Sequence, residues 1–288
     1  VTVVVPAFNE EQGIAGVLER LERIEFPGPS EILVVDDGST DGTAAQLERL
    51  APSHPRLRVL RHARNRGYGA ALKTGFAEAA YDVVVITDAD GTYPEDRVRD
   101  LLARIDLGAE MAVGARRGAN VHIPLVRRPA KAALRMLASY LSASPIPDLN
   151  SGMRAFRREL VLRYRPILPE GFSFTTTITL AALTNHHRVD YVDIAYAHRS
   201  GNSKIKPVRD TLRFSALIVR TVLYFNPLKV FYPIALGVLF LFLGSLAYDL
   251  FWERPPNLGD KTVLLFVALV QVLTVGLLAD LIEKRSRL

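Results

Sequence analysis

Glu31-Ile32-Leu33-Val34-Val35-Asp36-Asp37-Gly38-Ser39-Thr40-Asp41-Gly42-Thr43 is the stretch on which the reading of this chain turns. Ile32–Val35 is a short apolar run rich in β-branched residues, a strand covered on both faces. Four acidic or turn-forming residues follow at once, and Gly42–Leu50 then takes up a helical pattern. The same strand, polar loop and helix sequence recurs on either side. Val1–Val5, Leu57–Leu60 and Val83–Thr87 are further runs of this kind, also expected to be buried on both faces. Glu10–Ile24 and Gly69–Ala80 read as further helices. Such alternation predicts a parallel sheet with helices on both sides. Ligands of open α/β sheets bind beyond the carboxyl ends of the strands. The polar loops Ala7-Phe8-Asn9-Glu10, Asp36-Asp37-Gly38-Ser39 and Asp88-Ala89-Asp90-Gly91 are therefore expected to face one crevice.

Beyond this region Pro124–Ser142 and Phe174–Asn185 read as helices, and Met153–Arg157 and Arg188–Ile194 as strands. From Arg199 to Lys229 seven basic residues stand against one acidic residue, Asp210, a balance of +6 that equals the net charge of all 288 residues. Within that window Val208–Phe225 is an amphipathic helix. Arg209, Arg213 and Arg220 fall within roughly 40° of one another at about 100° per residue, the pattern of a helix lying at anionic headgroups. Val230–Tyr248 and Thr262–Ala279 then carry no charge. Each reaches about 30 Å as a helix, roughly a bilayer core. The polar residues between them make the pair a hairpin, and the basic window before it and Lys284, Arg285 and Arg287 after it mark the cytoplasmic side. The chain opens on an apolar strand with no signal-peptide pattern, so the large domain is expected in the cytosol of an integral membrane protein.

Composition removes several classes. There is no cysteine, hence no disulfide framework, thiolate metal site or cysteine nucleophile. Half of the residues are hydrophobic, which excludes intrinsic disorder. Gly67-Tyr68-Gly69-Ala70-Ala71-Leu72 partly mimics a dinucleotide fingerprint. It lacks the third glycine and does not lie in the first βα unit. No Gly-x-Ser-x-Gly elbow or Gly-Lys-Ser/Thr phosphate loop occurs, and the six histidines show no metal spacing. What does suggest chemistry is Asp88-Ala89-Asp90. Two carboxylates two apart beyond a strand end suit Mg²⁺ or Mn²⁺, which bind oxygen ligands and share substrate phosphates. With Asp36 and Asp37 beside them, four acidic groups require a cation, and a metal–diphosphate complex supplies one. His198-Arg199-Ser200-Gly201-Asn202-Ser203-Lys204, next to the expected interfacial helix, offers a guanidinium fork, a point charge and a hydroxyl for phosphate.

Taken in order, Val-Val-Val-Pro-Ala-Phe-Asn-Glu-Glu, Val-Val-Asp-Asp-Gly-Ser-Thr-Asp-Gly-Thr, Asn65-x-Gly67-x-Gly69, Asp88-Ala89-Asp90-Gly91 and Asn150-Ser151-Gly152-Met153-Arg154 resemble the family 2 glycosyltransferases of GT-A fold. Arg199-x-x-x-Ser203-Lys204 and the terminal hairpin resemble its polyprenyl-phosphate branch, the dolichyl-phosphate mannose and undecaprenyl-phosphate glucose synthases. The resemblance implies an α/β, Rossmann-like catalytic domain over residues 1–205, an interfacial helix over 206–227 and a transmembrane hairpin over 228–288. It implies inverting transfer of a hexose from a nucleotide-diphosphate sugar, GDP-mannose or UDP-glucose, to a polyprenyl phosphate. Pro6, Asn9, Glu10, Asp37, Lys73, Asp88, Ala89, Asp90, Arg116 and Arg117 would bind the donor, with Asp88 and Asp90 on Mg²⁺ or Mn²⁺. Arg199, Ser203 and Lys204 would hold the acceptor phosphate, and Asp90, Arg116, Arg199 and Lys204 would carry catalysis. Some mannosyl members have Gln as a further metal ligand two residues after the second Asp. Thr92 stands there in this chain, which leaves the third ligand and the sugar open.

Three other readings share part of the pattern. A processive polysaccharide synthase would need more spans and a Gln-x-x-Arg-Trp motif, but the sole tryptophan, Trp252, lies in the hairpin turn. A family 2 enzyme with a protein or soluble sugar acceptor would not need the Arg199–Lys204 loop. A membrane-tethered nucleotide-sugar binding protein would lack turnover. No feature points to nucleic acid.

Overall fold

A computed structural model describes residues 1–116, 136–140, 142–171, 173–195, 207–252 and 257–286. The chain divides into two compact units, Val1–Leu217 and Ile218–Leu288.

The first unit is built on a seven-stranded sheet: β1 (Thr2–Ala7), β2 (Glu31–Asp36), β3 (Leu57–Arg61), β4 (Val83–Ile86), β5 (Met111–Arg116), β6 (Arg154–Arg157) and β7 (Val189–Ile194). Its order is β3-β2-β1-β4-β6-β5-β7. All pairings are parallel except those of β6, which runs antiparallel to both β4 and β5. The sheet is mostly parallel, as the resemblance to a Rossmann-like GT-A domain implies, and mixed at one strand. β6 follows β5 by a long excursion and returns between β4 and β5, a choice that no local pattern encodes. β3 also departs from expectation. It forms the edge of the sheet, with Val59 38% exposed, so only one flank is covered by strand pairing and the run is not buried on both faces. Arg58 and Arg61 within it point the same way, since charges suit an exposed edge.

The helices are α1 (Ile14–Glu22), α2 (Thr43–Leu50), α3 (Tyr68–Glu78), α4 (Val98–Asp106), α5 (Arg158–Tyr164) and α6 (Phe174–Thr184). α1 buries Ile14, Val17, Leu18 and Leu21, one face at helical spacing. It starts four residues later than the sequence predicts. Asn9 adopts φ 57°, which no right-handed helix allows, and the first turn forms only when Gly13 and Ile14 donate to the Glu10 carbonyl. α4 and β5 were not anticipated. α4 buries Val98, Leu101, Leu102 and Ile105, a period that the charged residues around it obscure. α6 is buried along its whole length. Two of its five threonines satisfy their hydroxyls nearby: Thr179 donates to the Thr175 carbonyl and Thr176 to Asn150 Oδ1. Phe76 of α3 meets Phe156 of β6 edge-on at 5.3 Å and stacks on Phe174 of α6 at 6.2 Å, tying helices to sheet. Of the helix predicted over Pro124–Ser142, residues 136–140 and 142 are helical; the remainder lies outside the described residues.

α7 (Pro207–Phe225) matches the predicted amphipathic helix, and the division between the two units falls within it. In the second unit α8 (Leu228–Phe251) and α9 (Asp260–Ser286) form the expected antiparallel hairpin. Gly276 admits Phe231, Phe242 meets Phe266 at 5.6 Å, and Ser245 bonds Thr262 at 2.6 Å. At the turn Asp249 accepts hydrogen bonds from Gly259 N and Thr262 Oγ1. Both helices are long and apolar enough to cross a membrane, and their leucine, valine and phenylalanine side chains are largely exposed. Apolar surface of that extent needs a nonaqueous cover.

Candidate active site

The register of the sheet gathers the polar loops at one edge. Ala7 stands opposite Asp36 and Val4 opposite Ile86, so β1, β2 and β4 end together. Because β6 is antiparallel, its first residue, Arg154, stands opposite Ile86. The Asn150–Met153 loop thus arrives at the same edge, as does Arg116 at the end of β5.

Asn9 holds the first two loops together. Its N–H donates to Ser39 Oγ at 3.0 Å and its Oδ1 accepts from Thr40 N at 2.8 Å. Glu10 N donates to Thr43 Oγ1, and Glu11 accepts from Gly42 N. Asp36 is buried and accepts from Ser39 N. Pro6 is buried in β1, while Phe8 presents a 42% exposed ring between Ala7 and Asn9. Asp37 is buried and heavily engaged. His62 Nδ1 lies 2.6 Å from Oδ1, and Arg66 N and Gly67 N donate to the carboxylate at 3.0 and 2.7 Å. His62 Nε2 meets Thr74 Oγ1 at 2.9 Å. Asp37 thereby fixes the loop that leads into α3. The glycines of that loop serve chain packing: Gly67 has φ 107°, and a Cβ on Gly69 would collide with the Pro169 carbonyl. Ala70 N donates to the Glu170 carbonyl. A second backbone occupies the position that a pyrophosphate takes in a dinucleotide fold. Lys73 lies one turn further along α3, in a cleft with Arg66, Thr74, Arg165 and Glu170.

Asp88 and Asp90 sit half-buried beyond β4, with Ala89 buried between them. Tyr68 OH donates to Asp88 Oδ1 at 3.1 Å. Thr92 donates to Asp90 Oδ1 from both N (3.1 Å) and Oγ1 (2.7 Å), a turn that Gly91 permits at φ 70°. The hydroxyl at the position of the variable third ligand therefore holds Asp90 in place. Behind the pair Arg20 grips the buried Glu95 with two hydrogen bonds, of 2.6 and 3.0 Å. Among the described residues no group of three or more carboxylates or imidazoles gathers.

Arg116 forms a bidentate pair with Asp148, at 2.7 and 2.9 Å. Burial pushes the Asp148 carboxyl up, but the hydrogen bonds and charge of Arg116 outweigh it and hold it below the usual carboxylate range. Arg154 is fully buried; it donates to the Ser151 and Leu149 carbonyls and to Thr179 Oγ1. Burial lowers its pKa, an effect opposed by Tyr191, Asp148, Tyr68 and Tyr93. Burial and the nearby Asp88 charge push the Tyr68 and Tyr93 phenols up, and burial takes Tyr191 to about 12, so all three stay protonated. Tyr93 OH accepts from Gly152 N at 2.7 Å.

The sheet edge thus assembles Pro6, Asn9, Glu10, Asp37, Asp88, Ala89, Asp90 and Arg116, all expected from sequence. Arg117, Arg199, Ser203 and Lys204 lie outside the described residues. Phe8, Tyr68, Tyr93, Asp148 and Arg154 were not singled out for roles of their own. Only the Asn150–Arg154 motif hinted at the last of these.

The model of glycosyl transferase family 2 matches residues 2–165, the span that contains this crevice. The chain belongs to that family. This family 2 glycosyltransferase also matches the GtrB C-terminal hairpin over residues 226–284, the two long apolar helices. It is 32% identical over 214 residues to the polyprenol monophosphomannose synthase of Mycolicibacterium smegmatis, covering 70% of this chain and 80% of that one. It is 29% identical over 300 residues to an undecaprenyl-phosphate 4-deoxy-4-formamido-L-arabinose transferase of Pseudomonas fluorescens, covering 97% and 84%. In structure it resembles glucosyl-3-phosphoglycerate synthase of Mycobacterium tuberculosis in complex with Mn²⁺, UDP and glucosyl-3-phosphoglycerate. The TM-score is 0.54 and the identity 26%, over 77% of this chain and 78% of that one. The first unit of this glycosyltransferase has the GT-A fold.

Proposed function

We propose that this enzyme transfers a hexose from a nucleotide-diphosphate sugar to a polyprenyl phosphate, with inversion, at the cytosolic face of a membrane. The observation that carries the reading is the union, in one chain, of the Asp88–Asp90 crevice with a hairpin of two span-length apolar helices. The relatives' polyprenyl acceptors support it. The basic residues that flank the hairpin support a cytosolic catalytic unit.

Pro6, Asn9, Glu10 and Asp37 form the nucleoside end, with Lys73 beside it. The exposed ring of Phe8 offers a stacking surface to a base. Asp88 and Asp90 would hold Mg²⁺ or Mn²⁺, since two carboxylates are hard oxygen donors that suit a divalent cation accompanying a diphosphate. When bound there, such an ion supplies positive charge that offsets the leaving diphosphate. Arg116 or Arg117 extends cationic contact to the phosphates. Arg199, Ser203 and Lys204 hold the acceptor phosphate.

The reaction needs no general base. A phosphate monoester already carries about −1.5 to −2 charge at neutral pH. Its oxygen forms the new bond to the anomeric carbon from the face opposite the donor's diphosphate, and the breaking C–O bond leaves its electron pair on the nucleoside diphosphate. The residues bring two anionic groups together and stabilise the one that leaves.

The test uses the full chain in detergent with a panel of nucleotide sugars and a short-chain polyprenyl phosphate, identifying products by mass. A polyprenyl-phosphate hexose is the expected product. Turnover confined to a protein or soluble sugar acceptor, or its absence across the panel, overturns the reading.

A further inference from the structure

We propose that Tyr68, Tyr93 and Arg154 are positioning residues that hold the Asp88 carboxylate in a slot, between the Tyr68 phenol on one side and the bare Cα of Gly152 on the other. The inference rests on the reading of Asp88 as a group that binds a divalent cation with the donor diphosphate.

Each wall of the slot has its own support. On the first, Tyr68 opens α3, and its hydroxyl donates to Asp88 Oδ1. The first turn of α3 is held in turn by the Glu170 carbonyl at Ala70 N and by Asp37 at Gly67 N. The second wall is the 149–152 loop. Arg154 donates to two of its carbonyls, Leu149 and Ser151, and the Tyr93 hydroxyl accepts from its Gly152 amide. The loop is therefore tied from below by a guanidinium fork and from the side by a phenol. Gly152 then stands so close to Asp88 that an added methyl would lie 2.7 Å from both carboxylate oxygens.

Arg154 is an expensive way to hold a loop. It is fully buried, and among the described residues its partners are carbonyls, Thr179 and the Met111 sulfur, with no carboxylate at ion-pair distance. Burying a cation without such a partner carries a large desolvation penalty. A neutral side chain would have been cheaper for packing alone. What the guanidinium adds is a fork: Nε and Nη2 donate to two carbonyls of a single loop, Ser151 and Leu149, while Nη1 anchors on Thr179 of α6. The loop so ordered is the one that sets where Asp88 can point.

Partners of a metal-binding side chain usually change metal affinity by about 10- to 100-fold when removed. The test is binding, not turnover. The full chain in detergent is titrated with Mn²⁺ in the presence of excess UDP and, separately, GDP, and free Mn²⁺ is read from its electron paramagnetic resonance signal. Tyr68→Phe and Tyr93→Phe each delete one oxygen and keep the ring, so circular dichroism and the thermal midpoint serve as controls for folding. Tyr68→Phe should weaken Mn²⁺ about tenfold, and Tyr93→Phe should shift it the same way by a smaller factor, both at unchanged secondary structure. Asp88→Asn is the reference and should remove most of the binding. If Asp88→Asn loses Mn²⁺ while both phenol variants stay within twofold of the parent, the positioning role is overturned and the reading of the crevice stands. If Asp88→Asn binds Mn²⁺ like the parent, both fall.

Discussion

Gly152 and Asp88 are in direct apposition across two loops that lie 64 residues apart in the chain, with no room between them for a side chain. Gly152→Ala should therefore displace the Asp88 carboxylate while leaving the sheet intact. We expect turnover to fall at least tenfold, with a thermal midpoint close to that of the parent. A Gly152→Ala enzyme of normal activity would show that Asp88 can move without consequence.

Asp90→Ala should abolish turnover, by about two orders of magnitude or more, in a protein that remains folded. The half-buried carboxylate accepts two hydrogen bonds from Thr92, each contributing roughly 1 kcal/mol to stability, whereas its removal takes charge compensation from the donor diphosphate. EDTA should reproduce the defect in the parent enzyme. Near-normal rates in EDTA would remove the metal from the mechanism.

Asp148→Asn tests the Arg116 pair through pH. The folded carboxyl is held below its ordinary value, so the pair stabilises the fold above the unfolded carboxylate pKa of about 4 and loses that contribution as pH falls through the lower folded value. The variant should have a lower thermal midpoint at neutral pH, because Arg116 loses the charge of the Asp148 carboxylate. Its midpoint should also change less between neutral and acid pH. Parallel acid limbs in variant and parent would exclude the linkage.

Arg199→Ala should weaken the lipid acceptor and spare the sugar donor. A charge-assisted contact with a dianionic phosphate contributes roughly 1.5–3 kcal/mol, or about 10- to 150-fold in acceptor kcat/KM. Arg199→Lys should recover only part of this, since a point charge does not replace a fork. Arg220→Ala is the control for general headgroup contact, and its side chain is exposed on α7. A defect that appears only in donor KM would place Arg199 at the diphosphate instead.

What the sequence determined alone is whatever local partition between water and apolar surroundings controls. Val3–Val5 and Ile32–Val35 could only be interior strands, and their polar C-terminal loops had to share an edge once the strands ran parallel. The hairpin of α8 and α9 was legible for the same reason, since tandem uncharged stretches of that length have no aqueous solution. The order of motifs along the chain was enough to place Asp88 and Asp90 at the crevice. Only the tertiary structure decided what surrounds them. The insertion of β6 antiparallel between β4 and β5 brings Gly152 to Asp88 and buries Arg154 beneath it, and it makes an interior helix of the threonine-rich α6. The strand order also sets β3 at the edge, where an apolar run is half exposed. These outcomes depend on contacts between segments far apart in sequence, whose free energies are settled by the packing of the whole sheet and leave no mark in local periodicity.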